Sequence, residues 1–363
     1  MRVEKTSNIL SSLLISVFLA FFFSLICSSL WGQPAQTLKL SQYLPPTHPI
    51  SKVSGEYCQE IEKRTGGRVK ITQYAGGQLS GPVVMYSHVT KGVTDIGYSA
   101  VHYTRGRFPL SEVLECPLGV GDNWIGAKVF TDFYQKFTPK EWDEVHPLLF
   151  SSAAPAALQM GKKQVRTMKD LQGQVIRTAG RDSDVISALG GIPRAMEIGE
   201  LYDQMLRGVV HGVKISAETA KTFRFAELCK YITLCPQISG ASIFYLVMNK
   251  NKWNALPQDI KQVFTEVSQE YSEKFALTYN QADLDGKKFF LSIKGNEWYN
   301  LPDNEGAIWK KAVQPVVESY IEEATKKGFP REQIRKNLDF VTERIQYWTA
   351  KSDELKIPSI LRD

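Results

Sequence analysis

Two stretches of this chain read alike. "VTKGVTDIG" (89–97) and "MLRGVVHGV" (205–213) each close a helical pattern on a basic residue and a glycine, then start an apolar strand at once. Glycine ends helices because it enters the left-handed region without a Cβ clash. A helix that feeds straight into a strand is βαβ grammar, which confines the chain to α/β folds. Two copies in separate halves predict two similar lobes, roughly 37–154 and 155–241, although shared helix-end grammar alone would also produce the match.

The flanking patterns fit. "TLKLSQY" alternates as a strand, and Val53, Tyr57 and Ile61 recur at helical spacing before "TGG". "RVKITQY" and "VTDIGYS" complete a β-α-β-α-β unit, with a helix over 82–91 between them. The second lobe repeats it with "QVIRTA", a helix through Leu189, the extended "IPRAM", the helix "GELYDQMLRG" and "VVHGVKIS". "ASIFYLVMNK" reads as a strand that returns the chain to the first lobe. From Leu256 onward the pattern is one long helix or two, and two further helical stripes follow. The expected organisation is an α/β fold of two lobes, each a doubly wound β-sheet flanked by helices. Lobe I takes 37–154 plus about 242–281, lobe II takes 155–241 plus about 282–330, and 331–363 is a C-terminal helical extension.

Residues 1–36 stand apart. Arg2 and Lys5 precede "ILSSLLISVFLAFFFSLICSSLW", an apolar run of the export-signal kind. Cleavage is expected around Gly32 to Gln36; the run is also long enough for an uncleaved anchor. Export places the rest in an oxidising compartment, where Cys229 and Cys235 are close enough in sequence to bridge or could stay as separate thiols. The chain carries 44 Lys plus Arg against 38 Asp plus Glu, a net +6. That excess is spread out, with no basic tract interleaved with aromatics, so nucleic-acid binding is not expected. A mildly basic exported chain suits small anions.

No HExxH, GxSxG, P-loop, GxGxxG or CxxC motif occurs, and the five histidines do not cluster. No catalytic residue, cofactor or metal is expected. The informative residue is Arg177 in "LQGQVIRTAGRDSD", a planar cation at the end of an apolar strand. Ligands of open α/β sheets bind beyond the carboxyl ends of strands. A guanidinium there suits a carboxylate, from a ligand or from Asp182, Asp184, Glu197 or another residue of the lobe. The second candidate stretch, "MEIGELYDQMLRGVVHGVKIS", offers Glu197, Ile198, His211 and Lys214. His211 and Lys214 are expected to end a strand beside the cleft, with Lys214 as a second charge. Tyr98, Tyr103, Phe108 and Trp124 are candidate walls on the first-lobe side.

From about Thr37 to Val316 the chain resembles the dicarboxylate-type (DctP-like) solute-binding proteins of TRAP transporters. "HPISKVSGEYCQEIEKRTGGRVKI", "YAGGQLSG", "VTKGVTDIGYS", "MKDLQGQVIRTAG", "GELYDQMLRGVVHG", "KYITLC" and "MNKNKWNALPQDIKQVF" carry the likeness in the family's order. The resemblance implies a two-lobed periplasmic-binding-protein-like fold with crossing strands, a long helix spanning both lobes and hinge closure on an organic acid anion. It also implies delivery to a membrane permease and a carboxylate-gripping role for Arg177. His211 stands where the family usually has Asp, and "SSAAPAALQMG" lacks the second arginine of some members. A monocarboxylate with an apolar or aromatic body is therefore expected, against a dicarboxylate that uses Lys214. An exported enzyme acting on a carboxylate and a ligand-sensing module are the competing functions.

Overall fold

The computed structural model describes residues 35–363; the apolar export segment lies outside the described residues. "TLKLSQ" lies within β1 (Gln36–Gln42), with Leu38 and Leu40 buried and Thr37 and Lys39 exposed. In α1 (Pro49–Arg64) His48 caps the start, its Nδ1 accepting the Ile50 N–H, and Ile50, Val53, Tyr57 and Ile61 face the core. β2 (Val69–Tyr74), α2 (Met85–Thr90) and β3 (Ile96–Ala100) follow, so the helix expected over 82–91 is shorter.

The chain continues through α3 (Asn123–Phe137), β4 (Val145–Ala153), β5 (Ala157–Met160), α4 (Met168–Leu171), β6 (Val175–Thr178), α5 (Asp182–Ala188), β7 (Ile192–Ala195), α6 (Ile198–Leu206) and β8 (Gly212–Ile215). The two matched junctions share one geometry. Gly92 and Gly208 have φ of 74° and 72°. In each, the following residue reaches five residues back, Val93 N–H to His88 O and Val209 N–H to Gln204 O.

α7 (Thr219–Thr222) and β9 (Tyr231–Leu234) lead to β10 (Ser242–Asn249). β10 does return to the first lobe. Its sheet has the order β2-β1-β3-β10-β4, with β10 antiparallel to both neighbours. After α8 (Lys250–Ala255), the stretch left open as one helix or two is the single α9 (Gln258–Ser292), which packs on α1, α3 and β4 of the first lobe and on α7 of the second. β11 (Glu297–Asn300) joins the second sheet, order β11-β9-β5-β8-β6-β7. Both sheets are thus mixed, because the β4–β5 and β9–β10 crossings bring strands in against the parallel set. β6 lies between β7 and β8, parallel to each, so its carboxyl end points at the interlobe space.

α10 (Asp303–Lys326) and α11 (Arg331–Glu354) end the chain. α11 lays Ile334, Leu338 and Val341 against Phe130 and Phe133 of the first lobe. The last residues then cross back, and Ile360 enters a second-lobe cluster with Ala217, Ala220 and Phe290. The tail thereby straps both lobes. Ile360→Ala is expected to cost about 2 kcal/mol in denaturant unfolding, the low end for a buried isoleucine because a chain end relaxes readily.

Candidate functional site

The interlobe cleft is lined by residues that the topology gathers from distant segments. Arg177 and Arg181 come from the end of β6 and the turn after it, and Lys214, Ile215 and Ser216 from the end of β8. The first lobe contributes Tyr43 after β1 and His102 and Tyr103 after β3, while Phe244 of β10 and Tyr279 of α9 close the back.

Arg177 is only 2% exposed. Its Nε and Nη2 donate to the Met196 carbonyl at 3.1 and 2.8 Å. Two of five guanidinium N–H groups are thus used, and three remain. Among the described residues no carboxylate forms an ion pair with Arg177. Asp182 is taken by Lys214 Nζ at 2.5 Å, and Asp184 by Arg105 at 2.7 Å. Both aspartates that the sequence offered for Arg177 are engaged elsewhere, and Glu197 forms no ion pair with it.

Lys214 lines the cleft, but its side chain is 1% exposed and already neutralised by Asp182. Ile198 also lines the cleft, as the first residue of α6. Glu197 caps that helix without a side-chain cap bond and lies opposite Gly81 of the first lobe, outside the lining. Four expectations are corrected. His211 does not end a strand beside the cleft: it precedes β8, is exposed, and its Nδ1 accepts the N–H of Val175 at the start of β6. Tyr98 sits one layer behind the lining, its hydroxyl bonded to Ser151 and Tyr279 and its ring stacked on Phe244. Trp124 packs edge-on against Trp348 and donates to Glu273, in the first-lobe core. Phe108 is likewise core, stacked on Trp142. Cys229 and Cys235 are free and buried, and burial pushes both thiols up to about 12.

The walls are aromatic. Tyr43 meets Tyr103 edge-on at 5.4 Å, Phe244 stacks on Tyr279 at 5.4 Å, and His102 lies 4.4 Å from Tyr103. Burial first, and then the Arg177 charge, push the His102 imidazole down to about 3. An unfolded histidine titrates near 6.5. Between those values the unfolded chain binds a proton that the native chain does not. Stability from a neutral His102 is therefore complete above about pH 6.5 and falls as pH drops, by up to about 1.4 kcal/mol per unit. His102→Asn is expected to flatten the unfolding free energy between pH 6 and 4 by about one proton, read from denaturant titrations at each pH.

The model of bacterial extracellular solute-binding protein family 7 (DctP) matches residues 40–324. The chain belongs to this family. Curated relatives include the outer membrane transporter protein TsaT of Comamonas testosteroni, 26% identical, with 84% of this chain and 90% of that protein covered. The C4-dicarboxylate-binding protein DctB of Bacillus subtilis is 22% identical, with 83% and 85% covered. The monocarboxylate 2-oxoacid-binding periplasmic protein of a Nostoc strain is 23% identical, with 57% of this chain and 58% of that protein covered. Among solved structures, a TRAP periplasmic solute-binding protein of Desulfovibrio salexigens is 28% identical, with TM-score 0.76 over 86% of this chain and 97% of that one. A TRAP solute-binding protein of Rhodoferax ferrireducens holding copurified benzoate has TM-score 0.81 at 24% identity, with 87% and 99% covered. The chain is thus an extracellular solute-binding protein, a receptor rather than an enzyme.

Proposed function

We propose that this receptor captures a monocarboxylate with an aromatic or apolar body between its lobes, on the extracytoplasmic side, and delivers it to the membrane permease of a TRAP transporter. One observation carries the reading: a buried arginine with three spare N–H donors and, among the described residues, no carboxylate partner faces an aromatic-walled cleft. A buried cation needs a counter-ion, and the planar fork of arginine takes a carboxylate through two parallel bonds. The aromatic faces then cover the apolar body. Lys214 is already paired, which removes it as the reader of a second ligand charge. Solved relatives support the choice: the Rhodoferax protein holds benzoate, and a Bordetella bronchiseptica protein holds mandelate. The apolar stretch within residues 1–36 would direct export to the periplasm.

A thermal-shift panel of benzoate, mandelate, 2-oxoacids and C4-dicarboxylates tests the reading. The best monocarboxylate is expected to stabilise the protein by about 2.7 kcal/mol at a hundredfold excess over Kd. Tighter binding of a C4-dicarboxylate than of every monocarboxylate would overturn it.

A further inference from the structure

Four buried polar atoms of cleft residues have no hydrogen-bond partner, Glu115 Oε1, His102 Nδ1 and the Nε and Nη1 of Arg181. Glu115 is 6% exposed. It closes a 3₁₀ turn, Ser111–Glu115, on the first-lobe side. Two glycines make room for it. A Cβ at Gly180, whose φ is 54°, would stand 2.4 Å from Glu115 Oε2 and 2.7 Å from His102 Cβ. A Cβ at Gly240 would stand 2.4 Å from the Glu115 carbonyl oxygen. The Glu115 carboxyl and the His102 side chain therefore crowd one point beside the turn that follows Arg177.

Lys214 is committed elsewhere, and Arg181 through its Nη2, while Arg181 Nε and Nη1 have no hydrogen-bond partner and its charge opposes the neutral form of Glu115. Arg181 Nη2 donates to Glu112 and Glu323, and Lys214 pairs with Asp182. Burial first, then the like charge of Glu112, hold the Glu115 carboxyl well above the ordinary carboxylate range. The protonated form is thus favoured, and a neutral carboxyl beside an anion site neither repels a carboxylate ligand nor pairs with a cation. It can donate to, and accept from, an oxygen substituent. Buried groups of this kind discriminate strongly, because a ligand lacking the matching group leaves them unsatisfied.

We propose that Glu115, with His102 beside it, is a specificity-determining residue that hydrogen-bonds a hydroxyl on the body of the carboxylate ligand, so that the receptor takes a hydroxylated aromatic acid in preference to the unsubstituted one. This rests on the aromatic monocarboxylate reading and deepens it. The test is calorimetric titration of benzoate, 3-hydroxybenzoate and 4-hydroxybenzoate into the wild-type protein and into Glu115→Leu and Glu115→Gln. In the wild type one hydroxybenzoate isomer binds at least about tenfold more tightly than benzoate. Glu115→Leu abolishes that ratio while benzoate affinity changes by less than about threefold, and Glu115→Gln, which keeps a donor and an acceptor, retains most of it. An unchanged ratio in Glu115→Leu overturns the assignment. So does equal loss of benzoate and hydroxybenzoate in both variants. If Glu115→Leu does not fold, Glu115→Gln and the wild-type ratio decide. Wild-type binding of benzoate with no hydroxyl gain overturns only the role of Glu115, whereas no binding of any aromatic acid overturns the underlying reading with it.

Discussion

Arg177→Ala is expected to weaken binding of the best carboxylate by about 2–5 kcal/mol, roughly thirtyfold to several-thousandfold in Kd. The loss follows from leaving a desolvated ligand carboxylate without its cation. The unliganded protein should lose little. Among the described residues no carboxylate pairs with Arg177, so the Met196 carbonyl is what loses its donors, at about 1 kcal/mol. This asymmetry separates a ligand-gripping arginine from a structural one, whose removal would unfold the apo protein and leave binding as a secondary casualty. Arg177→Lys keeps the charge but not the fork, and is expected to recover only part of the affinity. Calorimetry for Kd and denaturant unfolding of the apo variant measure both sides. Full retention of affinity in the alanine variant would remove Arg177 from the site.

Arg177 could be found in the sequence because a permanent cation follows Val175 and Ile176 at a strand's carboxyl end. What could not be found there was whether Asp182 or Asp184 neutralises it. That depends on which cation each aspartate meets after folding, and Lys214 and Arg105 are brought in by β8 and by the segment after β3. The misplacement of His211 has a different origin. The strand-end rule that located Arg177 puts only the carboxyl end of β8 at the cleft, where Lys214, Ile215 and Ser216 stand, and sends His211 to the opposite end. Of the four aromatic residues named as first-lobe walls, Tyr103, which follows β3, lines the cleft, whereas His102 beside it went unmarked because a lone histidine outside any motif carries no signal. Phe244 and Tyr279 carry no such signal, since an apolar strand and a helix stripe look alike whether they face core or cleft. The fold was more legible because its signals are local: Gly92 and Gly208 perform at both junctions the helix-ending turn that their neighbours announce.

Arg181→Met is expected to destabilise the protein by about 3–5 kcal/mol in denaturant unfolding, the scale for removing one partner of a buried ion pair. The Arg181 side chain is 1% exposed, and its Nη2 donates to Glu112 at 3.1 Å and to Glu323 at 3.0 Å. The guanidinium also lies 4.7 Å from the Tyr320 ring centroid. Glu112, 2% exposed, would be left as an uncompensated buried charge. The cost belongs to that orphan rather than to the pair's net strength, so Arg181→Met/Glu112→Gln should recover a large part of it and give a coupling energy above about 0.5 kcal/mol. The pair also joins the lobes, with Arg181 in the turn after β6 and Glu112 in the first-lobe 3₁₀ turn, while Arg105 links Asp184 to Glu323 across the same seam. Opening the cleft must separate Arg181 from Glu112. Loss of a contact present only in this lobe arrangement lowers the population of the binding-competent form and weakens apparent affinity in proportion. Arg181→Met should therefore lose both stability and affinity, where Arg177→Ala loses affinity almost alone. Equal stability of the single and double variants would show that Glu112 is not the group Arg181 supports.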